Sequence, residues 1–465
     1  MKLNDCWLFY ALLALLAWLP IPFGSNRGWA WSLMEVYTYT LFLVWFLKFA
    51  PSYDFTKLQP YKPVLYIIAL VQLWALAQFI PLPMHFIDVI APNVHEAYER
   101  VGVDIAQLSL DPAKTLAQWL KGIAYLMLIF LLFVLVNTEK RLRLLLITLV
   151  SVGIFQALYG SLFVMTDMEP LFFTDKRSDG LATGTFIYRN HYANFLMMCL
   201  SIGVGSLVAS LSSSRKTNLK HSIVNLIEVL FSPKALMRIG LIVMVIALVL
   251  SRSRMGNTAF FLALSFCSVF ALVFMKHKTK ALLWLFGSML VIDIVIVSQW
   301  FGLEQVRERI TATSAEAETR DEVVKYGLNL VKLHPITGTG HGSFNSVFPS
   351  VKGVGVNNFY NFAHNEYLQF TIELGIPMTS LLGILILWSL WHAQYALRNR
   401  KRSLMRGIAF ASMMAIIGQL IHMTVDFTLQ PPANAVYFLI MLSLAWVSRY
   451  GKFPKDKTNN KLSML

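Results

Sequence analysis

Read as apolar and polar positions, the chain is a series of long apolar runs separated by shorter polar ones. About twelve runs reach the roughly 20 residues that a helix needs to cross about 30 Å of hydrocarbon. They begin near Trp7, Trp31, Lys62, Lys121, Leu142, Asn190, Arg238, Asn257, Ala281, Ile376, Gly407 and Ala433. None alternates in the way a barrel strand does, and lipid cannot satisfy open backbone groups, so the runs are predicted to be helices. The expected fold is all-α: a polytopic membrane domain over residues 1–449, with a large helical loop, 302–375, between the ninth and tenth helices, and a polar tail, 450–465.

Composition agrees with that pattern. The 465 residues are 56% hydrophobic and 14% charged, where soluble proteins carry about 25% charge. The first run, CWLFYALLALLAWLPIPF, follows Lys2 and Asp5, and no small-x-small cleavage site comes after it, so it reads as a retained helix rather than a signal peptide. Cys6, Cys199 and Cys267 all lie in apolar runs, which points to neither a disulfide framework nor a metal site.

Charge orients the helices. With the N-terminus inside, the short inner connections carry the basic clusters Lys140–Arg141–Arg143, Lys276–Lys278–Lys280 and Arg398–Arg400–Lys401–Arg402, so both termini are expected in the cytoplasm. The net charge of +15 then reflects membrane anchors and gives no sign of a nucleic-acid surface.

Some cations fall on the outer side, against this bias. SRSRMG puts Arg252 and Arg254 in a short outer turn. There they either snorkel to head groups or face inward as an anion site of guanidinium forks. In TDKRSDGLATGTFIYRNHYANFL, Lys176, Arg177 and Arg189 are outer cations, and Asn190 is placed to cap the following helix. This stretch reads equally as an ordinary polar loop.

Within the large loop, AEAETRDEVVKYGLNLVKL predicts an amphipathic helix with Val324, Leu328 and Val331 on its apolar stripe. Arg320 on this helix is placed to pair with Glu316. His334-Pro335 ends the helix. In ITGTGHGSF, Gly338 and Gly340 suit a turn that folds the loop back; no strand precedes them, as a nucleotide site would require. In AHNEYLQFTIELGIP, Glu366 to Leu374 fits two helical turns, with Asn365 as N-cap, a break at Gly375 and a fresh helix start at Pro377. His364 then sits at the positive end of the short helix, where it is expected to stay neutral, as a general base must, and where anions are also attracted. A loop histidine bonded to backbone is the plainer alternative. His341 and His191 have weaker contexts, and no His, Asp or Glu spacing matches a metal cage.

Three blocks, GLATGTFIYRNHYANFL, SRSRMG and the ordered set Arg320–HPITGTGHGSF–AHNEYLQFTIELGIP, resemble the O-antigen ligase and polymerase superfamily of bacterial envelope proteins. The resemblance covers Gly180 to Pro377. It implies a metal-independent, cofactor-free transferase in the inner membrane. Such an enzyme moves a glycan from a polyprenyl (undecaprenyl) diphosphate to a hydroxyl at the periplasmic face, by inversion. It further implies His364 and Arg320 as catalytic residues and Arg252, Arg254, Arg189 and Arg177 around the diphosphate. Asn365, Glu366, Gly338, Gly340 and Asn190 would be supporting residues. The acceptor it suggests is lipid A core, with another lipid-linked glycan or a protein hydroxyl as alternatives. Val323 or Val324 stands where the family has an aromatic, and Met378 where glycine is common. A transporter would instead need polar groups at mid-membrane, and Asp293 and Asp426 are the candidates for that role.

Overall fold

In the computed structural model, residues 5–453 are described except 101, 104, 167–179, 212–232, 277–279, 281, 290, 292–314, 354–355 and 357–358. The described helices are α1 (Cys6–Trp18), α2 (Gly28–Phe49), α3 (Lys62–Phe79), α4 (Met84–Ile90), α5 (Pro92–Glu99), α6 (Pro112–Leu135), α7 (Glu139–Thr166), α8 (Arg189–Leu211), α9 (Pro233–Leu250), α10 (Arg254–Phe274), α11 (Ala315–Leu333), α12 (Phe344–Val347), α13 (Glu366–Asn399), α14 (Ser403–His422) and α15 (Pro432–Tyr450). A two-stranded antiparallel ribbon, Leu82–Pro83 with Ile105–Ala106, flanks α4 and α5. The fold is all-α and polytopic: among the described residues, eight helices are long and apolar enough to cross a membrane, and Cys6–Trp18 and Ala235–Leu250 are shorter apolar helices.

α8 and α14 form the centre, buried on nearly every side, which is the pattern of a helix enclosed by other helices. They cross closely because both contribute glycine at the contact. A Cβ on Gly205 would lie 2.3 Å from the carbonyl oxygen of Gly407, and a Cβ on Gly407 would lie 2.3 Å from that of Gly205. α6 starts at Pro112, capped by Asp111, whose side chain accepts the Lys114 N–H. Lys121, expected at a span boundary, is instead buried inside the bundle with its ammonium 4.6 Å from the Trp31 ring. The hydrophobic run simply extends further outward than its first charged residue suggests.

α13 is two helices joined at a corner. Gly375 has φ 79 and ψ 166, a region open essentially to glycine alone. The short segment before it lies under the large loop, and the segment after it, with Pro377 in its first turn, enters the bundle. The loop 335–342 clamps this corner through its backbone. Ile376 donates to Pro335, Thr339 to Ile372 and Gly340 to Glu373. From α3, Gln78 Nε2 donates to both the Thr337 and Glu373 carbonyls, and Trp74 Nε1 to Leu374.

α11 is helical as its periodicity predicts, but its phase is one residue off. The buried stripe is Val323, Gly327 and Leu330, while Leu328 is 47% exposed. Gly327 decides the register, since its bare surface faces Leu368 and Ile372 of α13, with a Cβ there only 3.0 Å from a Leu368 methyl. A pattern of apolar residues cannot show that a glycine is the contact point. Arg177, Lys176, Asp293 and the tail beyond residue 453 lie outside the described residues, and so do the side chains of residues 315–320, including Arg320 and Glu316.

Substituting Gly375 by alanine would place a Cβ 2.1 Å from the Ile336 carbonyl oxygen at a positive φ. We expect Gly375→Ala to destabilise the protein by more than about 2 kcal/mol, seen as a lower midpoint of thermal unfolding in detergent. An unchanged midpoint would mean that the corner is not held as described.

Candidate active site

His364 ends the segment leading into the short helix of α13. Asn365 caps that helix, its Oδ1 accepting the Leu368 N–H at 3.0 Å, and its Nδ2 donates to Thr424 O. His364 therefore stands just before the helix N-terminus, as its sequence context predicts. Its backbone is left-handed, φ 51, an uncommon state for a residue with a Cβ. Arg252 shares it, with φ 49.

The ring of His364 faces Asp426, with Nδ1 3.9 Å from Oδ1. That is beyond hydrogen-bond length in this state and within ion-pair reach. Asp426 is almost fully buried and firmly held: its Oδ1 accepts the Phe427 N–H at 2.8 Å and its Oδ2 accepts a short bond from Asn190 Nδ2. Asn190 in turn donates to Tyr188 Oη and accepts from Ser253 Oγ at 2.7 Å. Ser253 caps α10 by accepting the Gly256 N–H, while Ser251 Oγ accepts the Ser253 N–H and donates to Leu248 O. In SRSRMG the serines are buried and the arginines exposed. A continuous line, His364–Asp426–Asn190–Ser253, thus ends on the turn that carries Arg252 and Arg254. Arg189, exposed, adjoins the line at the start of α8.

Asn190 does not cap α8. The helix starts at Arg189, which puts Asn190 inside the first turn, where its amide bridges Asp426, Ser253 and Tyr188. Asp426 sits not inside a helix but in the 423–430 connection, beside His364.

Phe427 packs the same place. Its ring stacks on Tyr188 at 5.5 Å and on Phe362 at 4.5 Å, and meets His191 at 4.9 Å and His364 at 4.8 Å edge-on. The edge contacts orient both imidazoles.

Glu366 sets the position of the 423–430 connection. It is fully buried; Oε1 accepts the Leu429 N–H at 2.7 Å and Oε2 accepts Gln430 Nε2 at 3.0 Å. The Glu366 N–H donates to Met423 O. Both ends of the connection are therefore tied to the helix that presents His364.

Gly338 and Gly340 belong to the loop that clamps the Gly375 corner. The Gly338, Thr339 and Gly340 amides are used by His334 O, Ile372 O and Glu373 O, and those of His341 and Gly342 by Gln78 Oε1 and Glu373 Oε2. The amides of residues 338–342 are therefore taken by protein groups rather than turned toward a phosphate. Burial lowers the pKa of His334, and burial together with the Lys121 charge lowers that of His341 to about 4. Among the described residues no group of three His, Cys, Asp or Glu side chains converges as a metal site.

Residue types and spacing brought out His364, Asn365 and the arginine turn. Ser253 and Phe427 escaped notice because nothing in their local sequence separates them from ordinary cap and core residues. The one available signal for Asp426 was an acid at the end of an apolar run.

The architecture is that of a multi-pass helical membrane protein with a polar, arginine-edged site at one end of its bundle. Residues 239–383 match the family model described as O-antigen ligase, so this part of the chain is similar to the O-antigen ligase-like superfamily. That segment contains Arg252, Arg254, Arg320, the glycine loop and His364, and stops short of Asp426. No curated protein matches the chain.

Removing the Glu366 carboxylate strands a buried backbone N–H. Glu366→Ala is expected to lower stability by about 1–3 kcal/mol, and Glu366→Gln to recover part of it because an amide oxygen still accepts from Leu429. Chemical or thermal unfolding checks this; equal losses in both variants would contradict it.

Proposed function

We propose that the protein is an inverting, metal-independent glycosyltransferase of the periplasmic face of the bacterial inner membrane, with both termini in the cytoplasm and about twelve spans. It transfers a glycan from polyprenyl diphosphate to an acceptor hydroxyl, lipid A core being the acceptor favoured by the O-antigen ligase resemblance. The observation that carries this reading is that His364 faces Asp426 at 3.9 Å and that hydrogen bonds run from Asp426 through Asn190 to Ser253, between Arg252 and Arg254.

In this mechanism His364 takes the proton of the acceptor hydroxyl as its oxygen attacks the anomeric carbon. The bond from that carbon to the diphosphate oxygen breaks on the opposite face, which inverts the configuration. The electron pair stays on the diphosphate, whose growing charge Arg252 and Arg254 stabilise as fixed guanidinium donors. Asp426 orients the imidazole and stabilises its protonated form, and His364 then releases the proton to water. Arg189 extends the cationic edge, and Arg177, outside the described residues, is assigned to the diphosphate by the family resemblance alone. Arg320 lies on α11, whose Gly327 packs on the short helix following His364, and it serves as a further cation.

Two results test this in vesicles containing purified protein and a polyprenyl-diphosphate glycan. His364→Ala should reduce transfer by about 10²–10⁴-fold, and the Arg252→Ala, Arg254→Ala double variant should lower kcat as well as raise the KM for donor. Chelators should leave the rate unchanged. Wild-type transfer by folded His364→Ala would remove the base from the mechanism, and chelator inhibition would point to a metal.

A further inference from the structure

The end of the bundle away from His364 carries a second charged cluster, which the proposed reaction does not use. Beyond the Gly375 corner, Ile384, Leu387, Trp388, Trp391 and Tyr395 are exposed along α13, at the three- and four-residue spacing of one helix face. On a helix long and apolar enough to cross a membrane, an unbroken apolar face is turned to lipid. Tyr395 lies about 20 residues past the corner, roughly 30 Å of helix, which is the thickness of the hydrocarbon core. Trp391, 49% exposed, and Tyr395, 43% exposed, therefore stand at the depth where aromatic belts meet the head groups.

Arg449, in the last turn of α15, lies over these two rings. Its guanidinium carbon is 4.3 Å from the centre of the Trp391 ring, 4.2 Å from that of Tyr395 and 5.2 Å from that of Tyr450. Nη1 donates to His392 Nδ1 at 2.8 Å; a guanidinium has only donors, so the imidazole accepts. His392 is itself fixed, with the Trp446 ring 4.0 Å away and Trp446 Nε1 donating to Ser389 Oγ at 2.9 Å. The rings hold the charge in place and leave its edge free: of five N–H donors, only the one on His392 has an acceptor among the described residues. Nor does any carboxylate among the described residues form an ion pair with Arg449. Between Glu373 and Asp456 the sole acid in the sequence is Asp426, which is beside His364 at the other end. Two more cations adjoin. Arg398 follows Tyr395 by one helical turn and Lys452 comes just after α15, both exposed.

A guanidinium with open donors at head-group depth, and no acid to neutralise it, suits a phosphate diester, whose oxygens accept from a guanidinium edge as a fork. The patch also discriminates among head groups. A zwitterionic lipid would bring its own ammonium beside Arg449, Arg398 and Lys452, with no carboxylate to receive it and with the aromatic rings already taken by Arg449. An anionic lipid brings no such charge. We propose that Arg449, held by Trp391, Tyr395, Tyr450 and His392, binds the phosphate of an anionic phospholipid at the membrane face opposite His364, with Arg398 and Lys452 as outer cations. The site is separate from the arginine turn, and the inference stands whether or not the protein is a transferase.

The test uses the full chain, delipidated in maltoside detergent, and measures binding of dioleoyl phosphatidylglycerol and dioleoyl phosphatidylcholine by native mass spectrometry. Wild-type protein should bind phosphatidylglycerol about tenfold more tightly, as one charge-assisted hydrogen bond would give. Arg449→Gln should cut that preference to about threefold or less. Arg449→Lys should lose most of it too, although the charge remains, because an ammonium neither stacks across the rings nor offers a fork. Lys401→Gln removes an exposed cation from the same end but outside the cage, and should leave the preference unchanged. If Arg449→Gln does not fold, judged by its thermal midpoint, Trp391→Leu at its exposed position carries the same expectation. Equal binding of the two lipids by wild type overturns the proposal. So does a loss in Lys401→Gln that matches Arg449→Gln, which would make the effect a diffuse field. Displacement of phosphatidylglycerol by millimolar inorganic phosphate would assign the site to a soluble anion and overturn the lipid.

Discussion

The structure around the site depends on one buried carboxylate. Glu366 accepts from Leu429 and Gln430 in the connection after α14 and belongs to the helix that His364 precedes. Without it, the two chain segments, about sixty residues apart in sequence, would have no strong reason to hold one register. Buried carboxylates are costly unless their oxygens are bonded, and here both oxygens are. These bonds satisfy the buried carboxyl group and make the position of Asp426 relative to His364 a property of the fold rather than of a flexible loop.

A second constraint comes from the membrane. A kinked helix exposes backbone groups that lipid cannot satisfy. The corner at Gly375 is tolerated because the 335–342 loop and Gln78 take up the carbonyls of residues 372 and 373, and Pro335 takes the Ile376 amide. The glycines of that loop allow main chain to lie on main chain; a Cβ on Gly338 would sit 2.4 Å from the Glu373 carbonyl oxygen. The same feature that resembles a phosphate cradle in sequence is consumed in holding the corner.

Two residues at the site, Arg252 and His364, carry left-handed backbone without being glycine. Such strain persists where surrounding contacts outweigh it. At Arg252 those contacts are the bonds of Ser251 and Ser253, and at His364 the Asn365 cap and the ring contact with Phe427. In the SRSR turn, strain and serine bonding combine to bury alternate residues and leave both guanidiniums outside.

The sequence by itself determined what is local or repetitive. The all-helical, polytopic character, though not the number of spans, follows from run length, the cap at Asn365 and the break at Gly375 from residue type, and the nomination of His364 and the SRSR arginines from position at helix ends. It misjudged Asn190 and the stripe of α11 because a helix start shifted by one residue, or a contact made by a glycine, leaves no mark in an apolar pattern. Only the tertiary structure decided that Asp426 faces His364, that Asn190 and Ser253 link that pair to the arginine turn, and that Trp391 and Tyr395 lie against Arg449. These contacts join residues far apart along the chain, and long-range packing, rather than any local propensity, brings such residues together.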